Sequence, residues 1–269
     1  MPDWPLEQVG RLEFMPDAPN PFTGKVVTAG GTAHVMGSYT ALGNAPFCCC
    51  AIQIFIRNHS SATDYLCDVA IGAAGSEQVV IWSLYTSGPG SSSRSKQYLF
   101  PLRLPANTRV SVRCQNATIS STLACGIIFY EESFLGAPSC QRIVTYGDVR
   151  STSSGTAMAA PAANAWGAYT ALTAATVDQH SWICPVFGDQ DLATRTAQSH
   201  VFETAIGAAG SERRLCPPQF FHASSTALHT QFWPGYWANI PLGSRLSSRY
   251  SAVAATNLGL DVVIYAGCR

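Results

Sequence analysis

The chain predicts an all-β protein: two tandem antiparallel β-sandwich domains of jelly-roll-like type, preceded by an extended N-terminal arm. Three observations predict it. The heptapeptide Ile-Gly-Ala-Ala-Gly-Ser-Glu occurs twice, at 71–77 and 206–212. Around it, landmarks recur in one order at offsets of 130 to 136 residues: Gly37-Ser38-Tyr39-Thr40-Ala41-Leu42 with Gly167-Ala168-Tyr169-Thr170-Ala171-Leu172, Leu104-Pro105 with Ile240-Pro241, and closing apolar runs at 127–130 and 262–265. Ordered recurrence at a near-constant offset marks a duplicated unit. Finally, both halves break into short runs rich in β-branched and aromatic residues and bounded by Gly, Pro, Asn or Ser, with no amphipathic helical stripe.

Residues 1–32 are rich in proline, with Pro16-Asp17-Ala18-Pro19-Asn20-Pro21 as a stretch that cannot enter a helix. They read as an arm, lying either on a neighbouring subunit or across its own domain. The first sandwich is expected over 33–140, with strands at 47–57, 65–71, 79–84, 97–104, 109–115 and 123–130. An Ala-rich stretch follows, but Pro161 interrupts it and it lacks an apolar stripe. Residues 141–165 therefore read as a linker. The second sandwich spans 166–269, with strands at 168–172, 179–186, 199–205, 212–215, 226–232, 245–252 and 258–265. The spacing suits a jelly roll, and an immunoglobulin-type sandwich is disfavoured because the Cys-Trp-Cys spacing is missing.

The length of 269 residues lets each half bury its own core. Only 12% of residues are charged, about half the usual share of roughly 25%. So neutral an exterior suits a subunit packed against others. The balance of 16 basic and 16 acidic residues gives no footprint for direct nucleic-acid binding. Nowhere do enough apolar residues run together for a helical membrane span, and the start lacks the pattern of a secretory signal. Ten cysteines include the triplet Cys48-Cys49-Cys50, and no pair has the two-residue gap of a zinc knuckle or redox motif. They read as small core residues, and no metal or other cofactor is expected.

Within the heptapeptide, two glycines three apart read as a bend between strands that ends on Glu77 or Glu212. A phosphate-binding loop would need a following helix and usually a lysine, both missing. Among so few charges the halves share Glu77 with Glu212, Arg109 with Arg245, and Arg113 with Arg249. A Glu meeting an Arg within each half, tying two loops at one end of the sandwich, explains that sharing as structural ion pairs. A second candidate set is aromatic: Phe220, Phe221, Phe232, Trp233, Tyr236 and Trp237, gathered near Pro and Gly. Such rings pack internally, form a contact with another protein, or offer a platform for sugar rings. No nucleophile elbow or His-Glu-x-x-His sequence occurs. No catalytic residue is assigned, and the chain is expected not to be an enzyme.

The run Leu66-Cys67-Asp68-Val69-Ala70-Ile71-Gly72-Ala73-Ala74-Gly75-Ser76-Glu77, then Phe100-Pro101-Leu102-Arg103-Leu104-Pro105-Ala106-Asn107-Thr108-Arg109 and Arg113-Cys114-Gln115, resembles a domain found in virion proteins of tailed bacteriophages. The likeness is closest over 36–130 and looser over 166–265, where Pro241-Leu242-Gly243-Ser244-Arg245 replaces the Pro-Ala-x-x-Arg phrase. It implies a non-enzymatic virion component, made in the host cytoplasm: an exterior decoration, spike-base or tail-associated protein whose partners are copies of itself and other virion proteins. The alternative is a carbohydrate-binding module that attaches a particle to a host-surface glycan. A hydrolase would need carboxylates facing across a cleft, and Glu131-Glu132 and Asp189/Asp191 are merely neighbours in sequence.

Overall fold

The computed structural model describes residues 12–15, 24–87, 96–131, 140–159, 161–189, 198–223, 231–232, 235–253 and 259–268, and all its regular structure is β. In the first half β3 (Thr40–Asn44), β8 (Arg109–Asn116), β5 (Tyr65–Ile71) and β6 (Gln78–Thr86) lie side by side in that order. Facing them, β9 (Thr122–Glu131), β4 (Cys49–Arg57) and β7 (Lys96–Phe100) form the second layer. Alternation along the strands builds the core between the layers: Ile52, Ile54 and Ile56 of β4 and Ile127 and Phe129 of β9 meet Val69 of β5 and Val112 of β8. Except at the β5–β6 hairpin, successive strands cross from one layer to the other, which is the jelly-roll-like feature.

The second half repeats this plan. Its first layer orders β12 (Thr170–Thr173), β19 (Leu246–Ala252) and β14 (Gln198–Ile206), the last pairing with both β15 (Arg213–Arg214) and β16 (Gln219–Ala223). Its second layer contains β20 (Leu260–Cys268) and β13 (His180–Asp189), with β17 (Gln231–Phe232) and β18 (Tyr236–Ile240) at the edge of β13. A separate core of Ile183, Phe187, Phe202, Leu246, Val262 and Ile264 fills it. The closing apolar runs match two residues away from the register read in the sequence. Ile128, rather than Tyr130, stands opposite Gln53 as Tyr265 stands opposite Cys184.

The described parts of the arm and of the linker belong to the sandwiches. β1 (Leu12–Met15) and β2 (Lys25–Thr28) lie end to end along one edge of β9 of their own half. Likewise β10 (Arg142–Tyr146) and β11 (Thr156–Met158) lie end to end along β20. Each pair covers a central strand that would otherwise expose a row of unpaired N–H and C=O groups. The same close approach recurs: a Cβ on Gly24 would meet the backbone of Cys125 at 2.8 Å, and one on Gly155 the backbone of Val262 at 2.8 Å. The repeated unit therefore includes β1 and β2 in one half and β10 and β11 in the other, ahead of the sequence landmarks.

One sheet joins the halves. β10 pairs antiparallel with β20 and parallel with β6, through Ile143 and Ile81, so the first layer of one half continues into the second layer of the other. Consequently β13 and β20 are covered on both faces. Trp182, Cys184, Val186, Val263 and Tyr265 enter the first half's core, while Ile183, Phe187, Val262 and Ile264 face their own. The Tyr265 ring meets Phe100 at 5.4 Å and Tyr98 at 6.3 Å, edge-on, and its phenol oxygen accepts the Tyr85 backbone N–H at 2.7 Å. Every position of β20 is buried, as expected for a strand covered on both faces.

All ten cysteines are free thiols, and Cys48 alone is exposed. Burial pushes the Cys49 thiol up to about 12 and those of Cys216 and Cys268 to about 11. A thiol titration of the native protein at pH 8 is expected to count about one reactive group, and in denaturant all ten. Several groups reacting promptly in the native state would contradict the packing.

Candidate functional site

The two heptapeptides form matching turns. Gly72 and Gly75 have φ of +108° and +82°, and Gly207 and Gly210 have +120° and +81°, a region side-chain-bearing residues rarely adopt. The Ser76 N–H donates to the Ala73 carbonyl at 3.0 Å, and Ser211 does the same to Ala208. Arg109 Nη1 donates to the Gly72 carbonyl at 3.0 Å and to Glu77 Oε1 at 3.1 Å, and Arg245 Nη1 to the Gly207 carbonyl at 3.1 Å and Glu212 Oε1 at 2.9 Å. Glu77 also accepts the Gly75 N–H at 2.8 Å. Partial loss of water opposes the charged Glu77, but backbone amides and Arg109 outweigh it and hold its pKa below the ordinary value. Backbone donation, then Arg245, does the same for Glu212. The structure thus brings each Glu to the first of its two expected arginines.

It takes the second arginine elsewhere. Arg113 turns to Asp68 on β5, with Nε at 3.1 Å and Nη2 at 2.9 Å from Oδ2. Asp68 is fully buried, and its Oδ1 accepts the Ser83 backbone N–H at 3.0 Å and Arg150 Nη2 at 2.8 Å. Arg249 turns to Glu203 on β14, with Nη2 at 3.3 Å from Oε2. There Arg214 supplies the second guanidinium, Nη2 at 3.2 Å from the same oxygen, and the Tyr169 hydroxyl donates to Oε1. The Arg113 guanidinium lies 4.6 Å from the centre of the Tyr39 ring, and that of Arg249 lies 4.3 Å from Tyr169 and 4.7 Å from Trp166. Asp68 and Glu203, three residues before each heptapeptide, were legible as matched acids. The Asp-to-Glu change and the switch of the second arginine from Arg150 to Arg214 conceal the match.

Chemically these are clamps. Each Asp68 oxygen accepts two donors, so the carboxylate's lone-pair positions are filled by the protein itself. Arg150 also donates Nε to Ser83 Oγ at 3.1 Å, and Gln115 Nε2 reaches the Arg150 carbonyl at 2.6 Å, so the turn after β10 is tied to β5, β6 and β8. Desolvation works against the charged Glu203, but Tyr169, Arg214 and Arg249 prevail and its pKa is lowered. A carboxylate whose pKa is lower folded than unfolded stabilises the fold above the unfolded value and loses that contribution as pH falls through the folded one. The melting temperature is therefore expected to fall as pH drops from about 5 to about 3. The decline should be shallower in Glu203→Gln, which starts lower at pH 7, and equal slopes in thermal scans would refute the assignment.

The aromatic candidates divide. Phe221 turns inward, its ring 4.4 Å from that of Phe187 and stacked on His200 at 4.7 Å. On β16 and β18, Phe220 is 68% and Trp237 49% exposed, and Tyr236 is half-buried. Phe232 is placed through its backbone in β17, opposite Val186, and Trp233 lies outside the described residues. Beside Trp237 is a shallow hollow of about 630 Å³ lined by Arg213, Arg214, Leu215 and Asn239. Among the described residues no three His, Cys, Asp or Glu side chains converge as metal ligands would.

No family model matches the chain, and no curated protein matches it in sequence. Among solved structures, one of infectious bursal disease virus, Gx strain, aligns over 96% of this chain and 72% of that one, at 10% identity and a TM-score of 0.24.

Proposed function

We propose that the chain is a non-enzymatic structural protein of a phage virion, an exterior decoration, spike-base or tail-associated component that works through contacts between subunits. The observation that carries this reading is the distribution of polar and apolar groups. Among the described residues ten charged side chains are drawn into carboxylate–arginine clamps, while large apolar side chains such as Phe220, Trp237, Val26 and Leu99 stand at the surface. Scattered apolar residues are ordinary on a monomer, but combined with a charge content of 12% they leave an exterior suited to burial against other subunits. The domain likeness to tailed-phage virion proteins supports the same reading.

Mass spectrometry of purified particles separated into heads and tails tests it. The protein is expected in one fraction at a fixed multiple of the major structural proteins, and its absence from both would overturn the reading. The hollow beside Trp237, with two arginines and an amide, favours glycan attachment as the second reading. Glycan-array binding lost in Trp237→Ala would favour it, and an array without signal would remove it.

A further inference from the structure

Because the halves are copies, the seam between them shows what the same surfaces on the second half are shaped to receive. In the first half, Tyr85 of β6 and Phe100 of β7 are fully buried against the outer face of β13 and β20. Tyr85 stands opposite Leu66 as Phe220 stands opposite Val201. Leu66 and Val201 are separated by the offset of the two heptapeptides. Phe100 stands opposite Ile52 as Tyr236 stands opposite Ile183. Thus an aromatic that is wholly covered in the first half has a counterpart, Phe220, that is 68% exposed in the second.

The complementary surface is also present and, among the described residues, only partly covered. Gln53, Phe55 and Ile128 hold on β4 and β9 the places that Cys184, Val186 and Tyr265 hold on β13 and β20. The latter three are buried in the seam, whereas the former are only half-buried, with Leu99 43% and Val26 62% exposed beside them. Among the described residues β1 carries a strand on one edge only, although its counterpart β10 is flanked by β20 and β6.

We propose that the surface carrying Phe220 and Tyr236 receives the outer face of β4 and β9 of a second copy of this chain, in the arrangement by which Tyr85 and Phe100 receive β13 and β20. The inference rests on the structural-protein reading and names its contact surfaces. The two surfaces differ, so the contact is head-to-tail and repeats from chain to chain, closing into a ring or continuing as a row. Pro217 and Pro218, directly after Cys216 and without N–H groups, blunt the edge between β15 and β16. The joint is accordingly one of packed rings rather than a lengthened ladder.

Sedimentation velocity on the full chain over a range of concentrations tests this, using Phe220→Glu to block one surface and Leu99→Glu to block the other. Both sites are exposed, and far-ultraviolet circular dichroism with thermal scans checks that both variants fold. The parent protein is expected to grow past a dimer with concentration, and each variant alone to associate at least tenfold more weakly. An equimolar mixture of the two variants should form a dimer that grows no further, since only one surface remains on each. Variants that assemble like the parent, a mixture that stays monomeric, or a parent that is monomeric throughout would overturn the proposal. Parent-like assembly of the variants leaves the structural-protein reading intact, whereas absence from particles removes that reading whatever the sedimentation shows.

Discussion

Replacing Tyr265 with alanine is expected to destabilise the protein by about 3–5 kcal/mol, the range for deleting a large buried aromatic, lowering the melting temperature by roughly 10 °C. The side chain is fully buried, its ring packs edge-on against Phe100 and Tyr98, and its hydroxyl oxygen accepts the Tyr85 N–H. Since it belongs to β20 yet fills the first half's core, its loss opens a cavity at the seam and leaves that amide without its acceptor. The parent should melt in one transition and the variant in two, as the halves lose their mutual support. Tyr265→Phe keeps the ring, and should cost about 1 kcal/mol for the lost hydrogen bond. Differential scanning calorimetry distinguishes these outcomes. A Tyr265→Ala protein within a few degrees of the parent would show that the seam contributes little.

Asp68→Ala is expected to cost about 2–3 kcal/mol, less than the full penalty for breaking a buried ion pair because Arg113 and Arg150 remain partly exposed. Three groups lose their acceptor together: the two guanidiniums and the buried Ser83 amide. Arg150 is the link between β5 and the turn after β10, so hydrogen exchange should quicken over 147–155 as well as around β5. Arg150→Ala should reproduce the effect on the turn with a smaller loss of stability. Unaltered exchange over 147–155 in Asp68→Ala would disprove the link.

Some of this architecture can be read from the residues alone. The strand at 65–71 has the bounds expected from its apolar run, because Asp64 and Gly72 punctuate it on either side. The Glu77–Arg109 and Glu212–Arg245 contacts involve identical residue types in both halves, and identity was the signal. Where the halves diverge chemically the signal fails: Asp68 answers to Glu203, and Arg150 to Arg214 from another part of the chain. The run expected over 97–104 ends at Phe100, because Pro101 has no N–H for the ladder. β1, β2, β10 and β11 are three to five residues each and owe their pairing to distant β9 and β20, so nothing local announces them. The join through β10 depends on contacts with β6 and β20, more than 60 and 110 residues away along the chain. The aromatic set was visible as a group, but alternation along β16 sends Phe220 outward and Phe221 inward, which only the register decides.

The burial of β20 on both faces, where β9 leaves Ile128 and Tyr130 half-open on its outer one, places descendants of a single ancestral segment under unequal selection. In a saturation-mutagenesis screen for folded protein, Ile128 and Tyr130 of β9 should tolerate polar replacements that the matching Tyr265 and Gly267 of β20 reject. Drift is thereby channelled toward the first of the two segments, and the halves can no longer be exchanged for one another.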